Sequence, residues 1–303
     1  MLALLLSLAV LCGARSPEAR LEHFRAGDGT TLAYFEARRG PAVVLLAGGY
    51  GLSHLYLSPV GDRLAERFRV IMPDQRGTGL SKLREYTPAA LNLDKLTGDL
   101  EALRKHLGLR KLRLLGHSWG GMLAMSYAAA HPAQVESMVL VDSGGMNLEF
   151  SAMYSAGTAS RLKAVLSPDE QKRLEALMTG PPPMTEATKD EISRIRLAAF
   201  LFHRDRAEEL ERYFRRDPID EREASLIVDD LKSRRWDVRA ELRSLRAPVL
   251  IVHGREDPMP LSVAEETART IPGARLEVID DCGHYPWVDQ PDRFFALVLG
   301  FAR

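Results

Sequence analysis

Cysteine is scarce in this chain: Cys12 and Cys282 are the two among 303 residues. They have no metal-ligand spacing, which argues against a structural metal site. Net charge is absent as well, with 41 Lys+Arg against 41 Asp+Glu. Nothing in that balance draws the chain to nucleic acid or to an anionic membrane surface. There is no Walker loop and no Gly-x-Gly-x-x-Gly stretch, so no nucleotide cofactor is expected. Internal repeats and long low-complexity runs are missing too. The longest apolar run, Met1 to Ala14, falls short of the roughly 20 residues a membrane span needs. It has the look of a signal-peptide core without a basic leader, and cleavage is expected after Ala14. Export to the periplasm or beyond is the corresponding expectation. Cleavage would leave Cys282 as the one thiol. What remains is 46% hydrophobic and 27% charged, ample for one large core or a core plus a small insert.

The most informative stretch is Gly116-His117-Ser118-Trp119-Gly120. The apolar run Lys111–Leu115 before it reads as a strand. The run Gly121–Ala130 after it reads as a helix. A Ser flanked two positions away on each side by Gly, between strand and helix, has the pattern of a nucleophile elbow. The turn is too sharp for side chains at the flanking positions, and the hydroxyl stands clear of the sheet. A lone Ser is a weak nucleophile and needs a base.

Partners of the right type follow in the order Ser, Asp, His. Ala247–Gly254 reads as a short buried strand, and Asp257 lies in the loop after it. Arg275–Ile279 reads as the next strand, and His284 lies in the loop after that. All three stand just past strand C-termini, where open parallel sheets gather their sites. His284 is the candidate base and Asp257 the group that orients it. Glu256 and Asp281 compete for the acid role. His54, His106, His131, His203 and His253 read as structural or surface residues, and His117 as a neighbour of the elbow. Cys282 is two residues from His284, so a bulky thiol reagent is expected to block the site.

An oxyanion hole needs two backbone N–H groups aimed at one point. Trp119, after the nucleophile, is one. Gly49 is the second, in the loop Ala47–Gly51 after the strand Ala42–Leu46, with Tyr50 as the competing choice.

Leu21–Glu36 reads as a hairpin turning at Gly27-Asp28-Gly29. Strands then alternate with helices, which predicts a mostly parallel sheet with helices on both faces. The alternation stops near Gly144-Gly145 and resumes at Ala247. The stretch between is charged, has helical spacing and is broken at Gly180-Pro181-Pro182-Pro183.

With these residues in view the chain resembles the α/β-hydrolases, most of all the proline iminopeptidase group. Ala47–Gly51 is similar to that group's His-Gly-Gly-Pro-Gly loop. Asp74-Gln75-Arg76-Gly77-Thr78-Gly79-Leu80-Ser81 is similar to its Asp-Gln-Arg-Gly-x-Gly-x-Ser segment, and Gly116–Gly121 to its elbow. The resemblance implies an α/β-hydrolase core over 21–145 and 237–303, with a helical cap over 146–236. It implies serine hydrolysis through an acyl-enzyme, without cofactor or metal, releasing an N-terminal residue from a small peptide. Ala47 and Tyr50 depart from the group's His and Pro. In that group cap carboxylates bind the free amine. Glu149, Glu208, Glu209 and Glu223 all qualify here, and the sequence singles out none. An esterase or lactonase is the alternative, and a non-catalytic binding protein on the same fold is the alternative of another class. Arg76 and Asp74 are expected to form a buried pair bracing the loop beneath the site.

Overall fold

The computed structural model describes residues 19–37, 40–180 and 184–301; the expected signal segment 1–14, with Cys12, lies outside them. Eight strands run β1 (Arg20–Arg25), β2 (Thr31–Ala37), β3 (Ala42–Leu46), β4 (Arg69–Pro73), β5 (Leu112–His117), β6 (Val135–Val141), β7 (Val249–Gly254) and β8 (Arg275–Ile279). They form one sheet in the order β1-β2-β4-β3-β5-β6-β7-β8. β1 and β2 form the expected hairpin, and β2 meets β4 antiparallel; the remaining pairs are parallel.

Every residue of β3 and β7 is buried, which explains their unbroken apolar sequences. The two-residue period of the strands splits their side chains between two cores. Val44, Leu46, Leu114, Leu140 and Ile251 enter one core, and Val43, Leu45, Leu115, Val139 and Leu250 enter the other. Helices cover both faces, with α1 (Ser58–Leu64), α2 (Leu93–His106) and α3 (Trp119–Ala130) in the first half of the chain. Asn92 caps α2 by accepting from Lys95 N–H, and Leu93, Leu96, Leu100 and Leu103 form its buried stripe. α3 is buried almost all round, so its small residues sit where neighbours approach closely.

Between β6 and β7 lie α4 (Phe150–Val165), α5 (Pro168–Met178), α6 (Glu186–Leu197), α7 (Glu208–Arg216), α8 (Glu221–Ser233) and α9 (Arg239–Leu242). Leu166, Leu174 and Ala198 form a small core of their own within this insertion. α6 ends at Leu197, and the chain then turns to bond the site loops described below. After β7 come α10 (Leu261–Thr270), α11 (Pro286–Asp289) and α12 (Pro291–Phe301). Among the described residues, no helix is long and apolar enough to cross a membrane.

The expected Arg76–Asp74 pair does not form. Arg76 instead bonds Asp99 on α2 (2.6 and 2.8 Å) and Asp28 in the β1–β2 turn (2.9 Å). Asp74 accepts from His54 Nδ1 (2.7 Å), His54 N–H (3.2 Å) and Leu80 N–H (2.8 Å). The turn through Gly77 and Gly79, both at positive φ, wraps backbone donors around Asp74 and fills it. Arg76 then reaches away to the hairpin and α2, so two separate anchors hold this loop.

Glu101 fastens α2 to α3. It accepts from Arg104 (2.7 and 2.8 Å) and from Tyr127 Oη (2.9 Å). The Arg104 guanidinium leads in holding its carboxyl down to about 2, against an ordinary 4.5. A carboxyl depressed by folding stabilises above its unfolded value, and that contribution fades as pH falls toward its folded one. Glu101→Gln should therefore lower Tm at pH 7 by about 2–4 °C. The gap to wild type should close as pH drops from about 4.5 toward 2. Thermal melts across that range check it, and a constant gap would refute the ionic origin.

Candidate active site

Ser118 lies between β5 and α3 at φ 54° and ψ −119°, a region that non-glycine residues occupy only under strain. The flanking glycines are required by contact. A Cβ at Gly116 would collide with the Gly120 carbonyl, and one at Gly120 with the Leu46 carbonyl. Ser118 is half-buried. Its hydroxyl makes no hydrogen bond among the described residues, so the link to a base is left open. Such links commonly tighten only when substrate is bound.

His284 stands past β8, with its ring Nδ1 2.8 Å from Asp257 Oδ2. Asp257 Oδ1 accepts from Met259 N–H (2.9 Å), which holds the carboxylate in place. The competing acids are engaged elsewhere: Glu256 accepts from Cys282 N–H (2.9 Å), and Asp281 is exposed. Burial pushes His284 down to about 4 and Asp257 up to about 7. The imidazole is thus neutral at pH 7. Cys282 is fully buried, and burial drives its thiol well above the ordinary range. The expected reaction with thiol reagents therefore has neither access nor thiolate.

A relay joins the elbow to two loops. His117 Nε2–H donates to the His284 carbonyl (2.8 Å), and Tyr56 Oη–H donates to His117 Nδ1 (2.8 Å). Tyr56 Oη accepts in turn from Gly48 N–H (2.6 Å). This engages Gly48 and leaves Gly49, at φ 75°, as the next N–H of the loop. A Cβ on Gly48 would lie 2.9 Å from Ser118 Cβ, so the loop after β3 sits on the elbow. Trp119 is held from both sides. Its Nε1–H donates to Gln75 Oε1 (2.9 Å), Gln75 Nε2–H donates to the Ala47 carbonyl (2.7 Å), and the Tyr50 ring lies 4.6 Å away.

The insertion also reaches the site. His284 N–H donates to the Phe200 carbonyl (2.7 Å), and the Phe200 ring centre is 5.6 Å from that of His284. Asp289 accepts from Gly283, Phe202 and His203 N–H groups at 2.8–3.0 Å, clamping insertion and histidine loop together.

Two buried groups escaped the sequence reading. Asp142, past β6, and His253, on β7, crowd Asp257. Potential ligand atoms of the three lie within 4.8 Å of one another. His253 is a core residue at 1% exposure. Asp142 at φ 44° carried no motif that would reveal it. Its one signal was position, at the C-terminal end of a parallel strand beside the others.

Comparison with known proteins agrees with this architecture. Residues 41–291 match the family model described as alpha/beta hydrolase fold. A proline iminopeptidase of Lactobacillus helveticus is 29% identical over 87% of this chain and 90% of its own. A 2-hydroxymuconate semialdehyde hydrolase of Pseudomonas putida is 30% identical over 95% of each. The solved structure of a proline iminopeptidase-related protein from Thermus thermophilus superposes with TM-score 0.71, 25% identity, and coverage of 93% and 96%. An eight-stranded sheet of this order, with its polar loops gathered past β3, β5, β6, β7 and β8, and a family match across most of the sequence place this chain in the α/β-hydrolase family, with a proline iminopeptidase-like sequence.

Proposed function

We propose that this protein is a serine hydrolase that releases an N-terminal residue from short peptides through an acyl-enzyme. The observations that carry the chemistry are Ser118, strained at the elbow between β5 and α3, and a neutral His284 whose Nδ1 faces Asp257 at 2.8 Å. In this reading Ser118 Oγ attacks the scissile carbonyl and His284 Nε2 takes its proton. The imidazolium formed is held by Asp257 through Nδ1–H. Backbone N–H groups of Trp119 and Gly49 receive the negative oxygen of the tetrahedral intermediate. His284 returns the proton to the leaving amine, and water hydrolyses the acyl-enzyme by the same route.

For the amine of the substrate we assign Glu223 on α8. It is 1% exposed, whereas Glu149, Glu208 and Glu209 are exposed. Its Oε2 lies against Gly51 and Gly77 and has no hydrogen-bond partner among the described residues. Burial pushes its carboxyl up to about 7. A bound ammonium would provide the charge this carboxylate lacks. One observation favours the ester or lactone reading: Lys82 Nζ already stands 3.4 Å from Glu223 Oε1, a partial counter-charge that makes a substrate amine less necessary. The apolar segment 1–14 is proposed to direct export.

Ser118→Ala should lower kcat on L-proline and L-alanine p-nitroanilides by a factor on the order of 10⁵. Unchanged turnover would sink the assignment. Glu223→Gln should raise KM for the free-amine anilides about tenfold or more, and leave p-nitrophenyl acetate and butyrate unaffected. Ester turnover without anilide turnover in the wild type would favour the esterase reading. On p-nitrophenyl acetate, which leaves Glu223 unused, the base must be neutral and burial lowers its pKa, so kcat/KM should hold below pH 6 and fall only toward about 4. An acid limb at 6.5 or above with that ester would contradict a neutral, desolvated His284 working beside an ionised Asp257.

A further inference from the structure

The acid side of the site holds too many acceptors for its donors. His253 Nε2–H donates to the Met259 carbonyl (2.9 Å), which leaves Nδ1 as a bare acceptor. That nitrogen faces Asp142 Oδ1 at 3.5 Å, and Asp142 Oδ1 already accepts from Gly254 N–H (2.8 Å). Asp142 Oδ2 and His253 Nδ1 are both buried, and neither has a hydrogen-bond partner among the described residues. Asp257 completes the cluster. Two carboxylates and a lone pair, with no donor between them, would repel one another in a medium of low dielectric. A single proton on Asp142 removes the repulsion between the two carboxylates.

We propose that Asp142 keeps its proton at neutral pH and donates it to Asp257, so that the acid of this site is a carboxyl pair sharing one proton. The proposal rests on the serine hydrolase reading above and names Asp142 as a positioning residue. It touches neither substrate nor Ser118, and acts by holding and charge-tuning Asp257. Burial, and then the neighbouring Asp257, drive Asp142 well above the ordinary carboxylate range, which agrees with Asp142 as the acid that holds the proton. The other titratable groups that face Asp142 are His253, His284, Cys282 and Tyr285. Burial keeps both histidines neutral and both the thiol and the phenol protonated, so none brings a cation that would ionise Asp142. The positive φ of 44° is a conformation that Asp and Asn accept more readily than most residues, and glycine accepts it freely.

Infrared difference spectra of the full chain at pH 7, wild type against Asp142→Asn, test the proton directly. A carbonyl band of a protonated carboxyl, shifted in D₂O, should be present in wild type and absent in the variant. Asp142→Asn offers an amide N–H to Asp257 and should retain kcat within about threefold. Asp142→Gly fits the backbone but offers no donor, and should lose roughly 10- to 100-fold in kcat with little change in KM. Absence of the band would overturn the proposal. So would an Asp142→Asn variant as impaired as Asp142→Gly, since a charge would then be required. Zn²⁺ inhibition of wild type that Asp142→Asn abolishes would also overturn it and make the cluster a cation site. If neither variant folds, infrared spectra of Glu223→Gln, which removes the other buried carboxyl raised to about 7, still decide: no protonated-carboxyl band at pH 7 overturns the proposal. If Ser118-dependent turnover is absent altogether, the hydrolase reading fails, while the band still reports on the shared proton.

Discussion

At the elbow, three backbones meet with no room for side chains. Gly116 lies against the Gly120 carbonyl, Gly120 against the Leu46 carbonyl, and Gly121 against Ser143. This contact presses α3 onto β3 and β5 and forces Ser118 into its strained conformation, at a cost of about 1–3 kcal/mol. The sheet around it is buried on both faces and can hold that strain. The same contact brings Gly48 against Ser118, and the chain Gly48–Tyr56–His117–His284 then carries the position of one loop to the other. Movement of the elbow would be felt at the loop after β3 and at the histidine loop together.

Burial governs the rest. His117 has both ring nitrogens engaged, so its tautomer is fixed, and desolvation holds its pKa well below the ordinary value. It serves as a rigid strut. His253 is held through Nε2 in the same way, but its other nitrogen faces Asp142 at 3.5 Å and has no hydrogen-bond partner among the described residues. A fully satisfied buried network is rigid, whereas a group left without a partner is costly. The Asp289 clamp extends this network into the insertion. His284 N–H and the Phe200 carbonyl share a bond, so whatever shifts the insertion also shifts the histidine loop.

Much of this was legible in one dimension. Strands β3 and β7 announce themselves as short apolar runs, β7 stopped by Gly254. Ser118, Asp257 and His284 could be set past strand ends because a parallel sheet delivers its loops there. The hairpin turn followed from Gly27-Asp28-Gly29. Pairing of charges was less legible. Arg76 and Asp74 are two residues apart in sequence, yet their partners come from Asp28, Asp99 and His54. Sequence proximity says little about which charges meet once a turn lies between them. Asp142 was invisible for a related reason: nothing local distinguishes it from any Asp after a strand.

The insertion resisted reading because its meaning lies in what its residues fail to contact. Four glutamates there had equal claims from composition and spacing. Burial separates them, since an exposed carboxylate such as Glu149 is already solvated and gains little from a ligand ammonium. Glu223 has lost its water and received Lys82 at 3.4 Å and the Tyr86 hydroxyl in return. A buried carboxylate with incomplete partners is stabilised by an added cation far more than a surface one, because the local dielectric screens less. Under the aminopeptidase proposal, specificity would turn on the competition between Lys82 and a substrate amine for this one carboxylate. The balance depends on how far Lys82, more than half exposed, prefers solvent to that contact.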